Sequence, residues 1–226
     1  MPKDIEQRVI EFVCTANYMR SPIAELVAQW YLKKINEEIY RTVSSGSHVN
    51  AINMGARNLE MKQLLIEKAM ERGDVYTPSI DHDIIKDAFE KRNDTTLDYY
   101  FNIAYDLFCN EERSNRAAAL KRLKKMGIEG EIKREEDREQ TKAYSDRVAV
   151  FSMTEYNNNV VKELYRYHPI KEPMVSGVLS KFATGDKEAE LPDHFGNGTK
   201  TTFKVVDRIV EEVQLGIDKL LNQVIS

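Results

Sequence analysis

Two different spacings of apolar residues open the chain. Residues 8–13 are apolar at four of six positions and rich in β-branched and aromatic side chains, which predicts a strand. Apolar residues then recur at helical spacing from Ile23 to about Asn36. Ser21 and Pro22 stand just before them, and we expect Ser21 to cap this helix and Pro22 to take its first position. A short turn beginning at Cys14 joins the two elements, so the pattern predicts the first half of a strand–helix–strand unit.

The alternation of strands and helices continues to the end of the sequence. It predicts strands at 40–43, closed by a turn at 44–47, at 147–151 and at 174–175, and helices at 59–72, 83–91, 155–166 and about 203–224. Strands that alternate with helices form a parallel sheet covered on both faces. We therefore expect an α/β fold, a three-layer α/β/α arrangement around a four-stranded parallel sheet.

One segment interrupts this alternation. Residues from about 98 to 143 contain no clear strand and are dense in charge, above all at 133–139, where a charge run is typical of a solvated helix face. Residues 117–125 within the segment favour helix strongly. A length of 226 residues fits one decorated domain better than two full ones. We expect a single domain over 1–226, with a charged, mostly helical insertion at about 98–143.

Composition excludes several classes of protein. The chain has 33 basic and 37 acidic residues, a net charge of −4, which lacks the basic excess of a nucleic-acid-binding protein. No apolar run reaches the roughly 18 residues that cross a bilayer, and the first residues do not resemble a signal peptide. Two cysteines are too few for a disulfide scaffold, and the four histidines show no metal-ligand spacing. We expect a soluble cytoplasmic protein with no metal, no cofactor, and no nucleic-acid or membrane partner. The oligomeric state is left open.

Cys14 is the candidate reactive residue in the sequence. Cys14, five residues, Arg20 and Ser21 lie between a strand and a helix start, where unpaired main-chain N–H groups make a concave anion site. Arg20 can bind two oxygens of a phosphate-like group with its planar fork. The helix N-terminus and Arg20 favour a thiolate at Cys14, and Ser21 can donate a hydrogen bond to it. A thiolate at the base of such a cradle is positioned for in-line attack on phosphorus.

The residues around Cys14 resemble the signature of the low-molecular-weight protein tyrosine phosphatases. The likeness extends from Val9 to Glu25, and it implies a phosphatase I-like fold, Cys14 as the nucleophile that forms a phosphocysteine, and Arg20 as the phosphate-binding residue. It implies a catalytic Asp193 in the segment before the last helix, acting as general acid and then as general base. The remaining site residues that it implies are the phosphate- or substrate-binding Thr15, Ala16, Asn17, Tyr18, Met19, Ser21 and Phe195, and Ser44 as the hydrogen-bond partner of Asn17.

Several positions depart from that family's pattern. His194 follows Asp193 where the family usually has proline, Ala16 replaces a loop glycine, and Met19 stands where many members have a second cysteine. Glu11 is unexpected in a strand buried on both faces. Cys109 is expected to pack as a small apolar residue in a helix of the insertion and not to act as a resolving thiol.

The substrate is not fixed by these residues. Tyr18 matches neither the tyrosine phosphatases nor the arginine phosphatases of the family, whereas Thr15 and Phe195 resemble the arginine branch. We interpret the chain as a phosphatase of phosphoprotein substrates, with phosphotyrosine as the substrate group. The alternatives are a protein arginine phosphatase, an arsenate reductase linked to a small thiol, and a weakly catalytic phosphate-recognition module.

Overall fold

Four parallel strands form the sheet that carries Cys14. In the computed structural model they are β1 (Arg8–Cys14), β2 (Tyr40–Gly46), β3 (Arg147–Ser152) and β4 (Val175–Val178), in the order β2-β1-β3-β4. The register pairs Cys14 with Gly46 and Val13 with Ser152. The carboxyl ends of three neighbouring strands therefore meet around Cys14.

The structure describes residues 8–50, 62–63, 66–67, 69–70, 82–133, 136–192 and 198–225. Six helices have both bounds within those ranges: α1 (Arg20–Lys34), α2 (His82–Glu90), α3 (Asp94–Lys125), α4 (Glu155–Arg166), α5 (Leu179–Thr184) and α6 (Gly198–Ile225).

The chain divides into two compact units. One comprises residues 1–49 and 116–226, and the other comprises residues 50–115. The predicted insertion at 98–143 overlaps the second unit only over residues 98–115, since residues 116–143 belong to the first. Helix α3 contributes residues 94–115 to the second unit and 116–125 to the first.

The first unit has three layers, as the sequence predicts. Ile10, Phe12 and Cys14 alternate along β1 and share an apolar core with α1, α6 and the end of α3. Val13 lies on the opposite face, in a smaller core with Val150, Val161 and Tyr165, the last two from α4. This alternation is the period-two pattern of a strand buried on both faces.

Most predicted elements of the first unit are present, with shifted ends. The helix at 155–166 is confirmed with the predicted bounds, and Thr154 caps it by accepting a hydrogen bond from the main-chain N–H of Asn157. Helix α6 begins at Gly198 and buries Val205 and Ile209, whereas Phe203 of the predicted apolar stripe is 38% exposed. Helix α5 was not predicted, and β4 runs from 175 to 178.

Two predictions around Cys14 are wrong. Helix α1 begins at Arg20 with Met19 at the N-cap position, so Ser21 is not the cap and Pro22 is the third residue of the helix, not the first. The residues assigned to a turn after β2 continue the strand to Gly46, because Ser44, Ser45 and Gly46 pair in register with Phe12, Val13 and Cys14.

The prediction that the charged residues 133–139 form a solvated helix face is also wrong. Helix α3 ends at Lys125, and the described residues 133 and 136–139 are not helical. The main-chain N–H of Gly46 donates to the carbonyl of Glu139 at 2.8 Å, and that of Thr141 donates to the carbonyl of Gly46 at 2.9 Å. This segment is therefore anchored beside the end of β2.

The second unit has a small core of its own, formed by Ile66, Ile85, Ala88, Leu97, Tyr100 and Phe101. Residues 62–63, 66–67 and 69–70 are helical, and the rest of the helix predicted at 59–72 lies outside the described residues. Cys109 lies on α3 in this unit, is partly buried and is not disulfide-bonded. Among the described residues, no helix is long and apolar enough to span a membrane.

Candidate active site

The loop between β1 and α1 brings Cys14 and Ser21 together. Cys14 is the last residue of β1 and is 3% exposed, and its Sγ lies 3.0 Å from the Oγ of Ser21. The same hydroxyl lies 3.0 Å from Asn17 Oδ1 and 3.1 Å from the carbonyl of Ser45. Because a hydroxyl has one proton, it can donate to only one of these acceptors at a time, and a thiolate at Cys14 is a third possible acceptor.

Asn17 holds the loop against the end of β2. Its backbone has a φ of 48°, a left-handed conformation that asparagine tolerates better than most residues. Its Nδ2 donates to the carbonyl of Ser44 at 3.2 Å. Ser44 is the partner that the family resemblance implies, and the contact is through its main chain.

The hydroxyl of Ser44 binds a carboxylate on α1. Its Oγ donates to Oε2 of Glu25 at 2.5 Å. Burial raises the pKa of Glu25 above its ordinary value of 4.5, against the opposing hydrogen bond from Ser44 and the attraction of Lys133. Lys133 also contacts Ser44, by donating to its carbonyl at 3.0 Å.

Gly46 is required where β2 passes the loop. A Cβ at this position would lie 2.8 Å from the main-chain nitrogen of Asn17 and 2.8 Å from the carbonyl oxygen of Thr15. Just beyond it, the N–H of Ser47 donates to the carbonyl of Cys14 at 2.8 Å and that of His48 to the carbonyl of Thr15 at 2.9 Å. The two chains are in direct backbone contact, and the loop conformation depends on that contact.

The side chain of Arg20 is held by a hydrogen bond to a distant part of the chain. Arg20 is the first residue of α1, is 5% exposed, and donates from Nη1 to the carbonyl of Leu191 at 3.3 Å. Leu191 is itself anchored, since its N–H donates to the carbonyl of Met153 at 3.2 Å. Arg20 is thereby tied to the chain two residues before Asp193.

A buried asparagine that sequence reasoning missed supports the loop from α4. Asn157 is fully buried, and its Nδ2 donates to Thr15 Oγ1 at 3.3 Å and to Ser47 Oγ at 3.0 Å. Ser47 Oγ also lies 2.8 Å from Nδ1 of His48, and Nε2 of His48 lies 2.8 Å from the hydroxyl of Tyr156. The sequence does contain a signal for it, a run of three asparagines from Asn157 to Asn159. Such a run is unusual in an amphipathic helix, whose buried face is normally apolar.

Tyr18 contacts two arginines from a distant part of the chain. The guanidinium carbon of Arg116 lies 5.0 Å from the centre of its ring, and that of Arg138 lies 5.8 Å away. Both distances are within the range of cation–π attraction. The positive charge at this side of the loop therefore comes from the predicted insertion.

The negative charge of Glu11 is compensated by neighbouring side chains. Its carboxylate is buried and accepts from Arg147 Nε at 2.6 Å, from Ser45 Oγ at 2.5 Å and from Thr141 Oγ1 at 3.2 Å. Arg147 in turn lies over the ring of Tyr144, at 4.1 Å. The acidic residue that was unexpected in a buried strand is one half of an ion pair with hydrogen bonds to both carboxylate oxygens.

The predicted site residues therefore fall into three groups. The loop brings together Cys14, Thr15, Ala16, Asn17, Tyr18, Arg20 and Ser21, with Ser44 beside them. The side chain of Met19 is buried in the apolar core, so only its main chain can line an anion cradle. Asp193 and Phe195, like His194, lie outside the described residues. Within the described ranges, no group of three or more His, Cys, Asp or Glu residues could hold a metal ion.

Comparison with known proteins adds a structural likeness only. No family model and no curated protein matches the sequence. A low-molecular-weight phosphotyrosine phosphatase from Vibrio cholerae is similar in structure with a TM-score of 0.53 at 12% identity, covering 96% of this chain and 98% of that one. A protein tyrosine phosphatase from Entamoeba histolytica gives 0.52 at 16% identity, covering 96% and 99%. The YwlE arginine phosphatase from Geobacillus stearothermophilus gives 0.50 at 16% identity, covering 96% and 94%.

These structural likenesses agree with the resemblance seen in the sequence. The chain has the fold of the low-molecular-weight protein tyrosine phosphatases.

Proposed function

We propose that this protein is a cytoplasmic phosphatase that hydrolyses phosphotyrosine in proteins through a phosphocysteine at Cys14. The observation that carries the proposal is the 3.0 Å contact between Cys14 Sγ and Ser21 Oγ, inside a loop between the central strand and a helix that begins with Arg20. This combines a nucleophile, a hydrogen-bond donor to its thiolate and a phosphate-binding guanidinium in one short segment.

In the first step, the Cys14 thiolate attacks phosphorus. An S–P bond forms and the P–O bond to tyrosine breaks, so the electron pair leaves with the phenolic oxygen. That oxygen takes a proton from the carboxyl group of Asp193. Arg20 and the main-chain N–H groups of the loop stabilise the charge on the phosphoryl oxygens.

In the second step, the Asp193 carboxylate takes a proton from water as the water oxygen attacks phosphorus. The S–P bond breaks and the electron pair returns to sulfur, where the hydroxyl of Ser21 can stabilise the thiolate. The assignment of Asp193 is supported by chain length, because it follows by two positions Leu191, whose carbonyl is bound by Arg20. Two residues span at most about 7 Å.

Turnover of para-nitrophenyl phosphate tests the proposal. Cys14→Ser and Arg20→Ala are expected to reduce turnover to background, whereas Cys109→Ser is the matched control and keeps full activity. Asp193→Asn is expected to slow turnover by about 10²- to 10⁴-fold, the usual contribution of a positioned acid and base. Full activity of the Cys14→Ser protein would overturn the mechanism.

The same preparation separates the candidate substrates. Phosphotyrosine and phosphoarginine peptides of one sequence are compared by kcat/KM, and a higher value for phosphotyrosine supports the proposal. A higher value for phosphoarginine would assign the chain to the arginine phosphatase alternative. Rapid acid quench and mass spectrometry should find the added phosphate on the peptide that contains Cys14.

A further inference from the structure

The carboxylate of Glu190 lies at the start of α4 and has no role in the proposed mechanism. Its Oε1 accepts from the main-chain N–H of Glu155, the first residue of α4, at 2.8 Å. The first N–H groups of a helix have no partner within the helix, and the positive end of the helix dipole lies there. A carboxylate at this position therefore stabilises the helix start and is itself held in place.

The next residue, Leu191, is bound at the same junction. Its N–H donates at 3.2 Å to the carbonyl of Met153, which lies between β3 and α4. Its side chain is fully buried in the apolar core that contains Cys14. Glu190 and Leu191 are thus fixed to the connection between β3 and α4 by two hydrogen bonds, one through a side chain and one through the main chain.

The carbonyl of Leu191 accepts a hydrogen bond from Arg20, whose Nη1 lies 3.3 Å away. The residue that follows is Pro192, whose ring favours extended backbone at Leu191. Proline also has no N–H, so the carbonyl is the hydrogen-bonding group of this peptide unit. The position of the acceptor for Arg20 is therefore set by the residues on both sides of it.

We infer that Glu190 is a positioning residue for Arg20. This deepens the proposed function and rests on it, since Arg20 is the phosphate-binding residue of the proposed mechanism. Glu190 acts through the carbonyl of Leu191 and does not contact the substrate. A guanidinium binds two phosphoryl oxygens only when its planar fork faces them, so an acceptor that holds one of its nitrogens restricts the side chain to fewer orientations.

Binding of inorganic phosphate to the full-length protein, followed by ³¹P NMR titration, tests this role without turnover. Glu190→Ala removes the acceptor for the N–H of Glu155, and it should weaken phosphate binding by about 3- to 10-fold, the size of one net hydrogen bond. Glu190→Gln should recover most of the lost affinity, because its amide oxygen can still accept from that N–H. Urea denaturation of each variant checks that the protein is folded under the conditions of the titration.

Glu188→Ala is the matched control. Glu188 is exposed on the same segment, and like Glu190 it attracts the ammonium group of Lys181. The substitution therefore removes the same charge from the neighbourhood of the same lysine without removing a contact to α4. Phosphate affinity should not change in this variant.

A double-mutant cycle separates positioning of Arg20 from a general structural role. In an Arg20→Ala background, Glu190→Ala should cause no further loss of phosphate affinity, because the group that it positions is absent. A loss of equal size in both backgrounds would overturn the inference. Equal phosphate affinity of the Glu190→Ala and Glu188→Ala proteins would also overturn it.

The Nε–H NMR signal of Arg20 distinguishes failure of this inference from failure of the proposed function. The signal is assigned by its absence in Arg20→Ala, and it should shift in Glu190→Ala but not in Glu188→Ala. If the wild-type protein neither turned over para-nitrophenyl phosphate nor bound phosphate, the proposed function would fail. The shift would then still support the positioning of Arg20 by Glu190, and an unshifted signal would overturn it.

Discussion

Glu11 shows how a single charge is accommodated in the central strand. A carboxylate that is 1% exposed is stable only when other groups replace its water, and here Arg147, Ser45 and Thr141 do so. The carbonyl of Ser45 lies 3.1 Å from the hydroxyl of Ser21. The ion pair therefore supports the strand residue that contacts Ser21.

Removing one partner of this pair should be costly. Glu11→Ala leaves the buried guanidinium of Arg147 with the half-exposed Asp146 as its remaining carboxylate partner, and we expect a loss of up to about 3–5 kcal/mol in the free energy of unfolding, measured by urea denaturation. The paired substitution Glu11→Leu with Arg147→Met should recover most of that loss. A cost below about 1 kcal/mol for Glu11→Ala would contradict a buried, paired carboxylate.

Glu25 should make stability depend on pH. Burial raises its pKa above 4.5, so the folded state holds the proton more tightly than the unfolded state does. Its contribution is therefore greatest below the unfolded pKa and is lost as pH rises through the folded pKa. Glu25→Gln should gain stability relative to wild type as pH rises from about 4.5 to about 8, measured by urea denaturation across that range.

Glu155 gives the control of opposite sign. Hydrogen bonds from Lys181 and Asn158 lower its pKa, so its contribution is present above the unfolded pKa and is lost as pH falls through the folded pKa. Glu155→Gln should be less stable than wild type at neutral pH, and the gap should close at acidic pH. A pH-independent difference in either variant would show that the assigned environment is wrong.

At the scale of elements, the loop depends on the end of β2. Ser44, Ser45, Ser47 and His48 each contact loop residues or Ser21 through their main chains. These four strand and turn positions, two on each side of Gly46, thus hold the conformation that brings Cys14 and Ser21 together. The close approach is possible because Gly46 has no side chain.

Gly46→Ala is the corresponding prediction. The new Cβ would lie 2.8 Å from two backbone atoms of the loop, which cannot move as a flexible side chain can. We expect a loss of about 1–3 kcal/mol in stability and a weaker affinity for inorganic phosphate, measured by denaturation and calorimetry. Gly177→Ala in β4 is the control, since nothing lies within 4 Å of its added Cβ. Equal effects of the two substitutions would argue against a tight contact at Gly46.

At the scale of the whole molecule, each unit has its own core. Leu123 is fully buried in the core that contains Cys14, and Leu97 is fully buried in the core of the second unit. Both residues belong to helix α3.

Leu123→Ala and Leu97→Ala should each destabilise a different unit. Each is expected to lose about 2–5 kcal/mol of stability in its own unit. Hydrogen exchange with mass spectrometry should show faster exchange in β1, α1 and α6 for Leu123→Ala, and in α2 and the start of α3 for Leu97→Ala. The same exchange pattern in both variants would contradict two separate cores.

The extent of sequence-based prediction follows from how local each feature is. The strand from Arg8, the loop and α1 are contiguous, so propensity and a short motif were sufficient to predict the loop that contains Cys14 and Arg20. The prediction that Ser21 caps α1 was wrong because the role of its side chain is not set locally. Its hydroxyl contacts Ser45, which follows it by 24 residues, and that contact replaces the expected cap.

The sequence by itself determined the α/β pattern, the position of Cys14 at the end of a strand and the helix that follows, because hydrophobic spacing and backbone preference act over a few residues. Only the tertiary structure decided that Arg116, Arg138 and Asn157 lie beside this loop, that Glu11 is paired, and that the charged segment before Thr141 is anchored to Gly46. Those contacts join residues separated by more than 90 positions, and such contacts depend on how the layers pack.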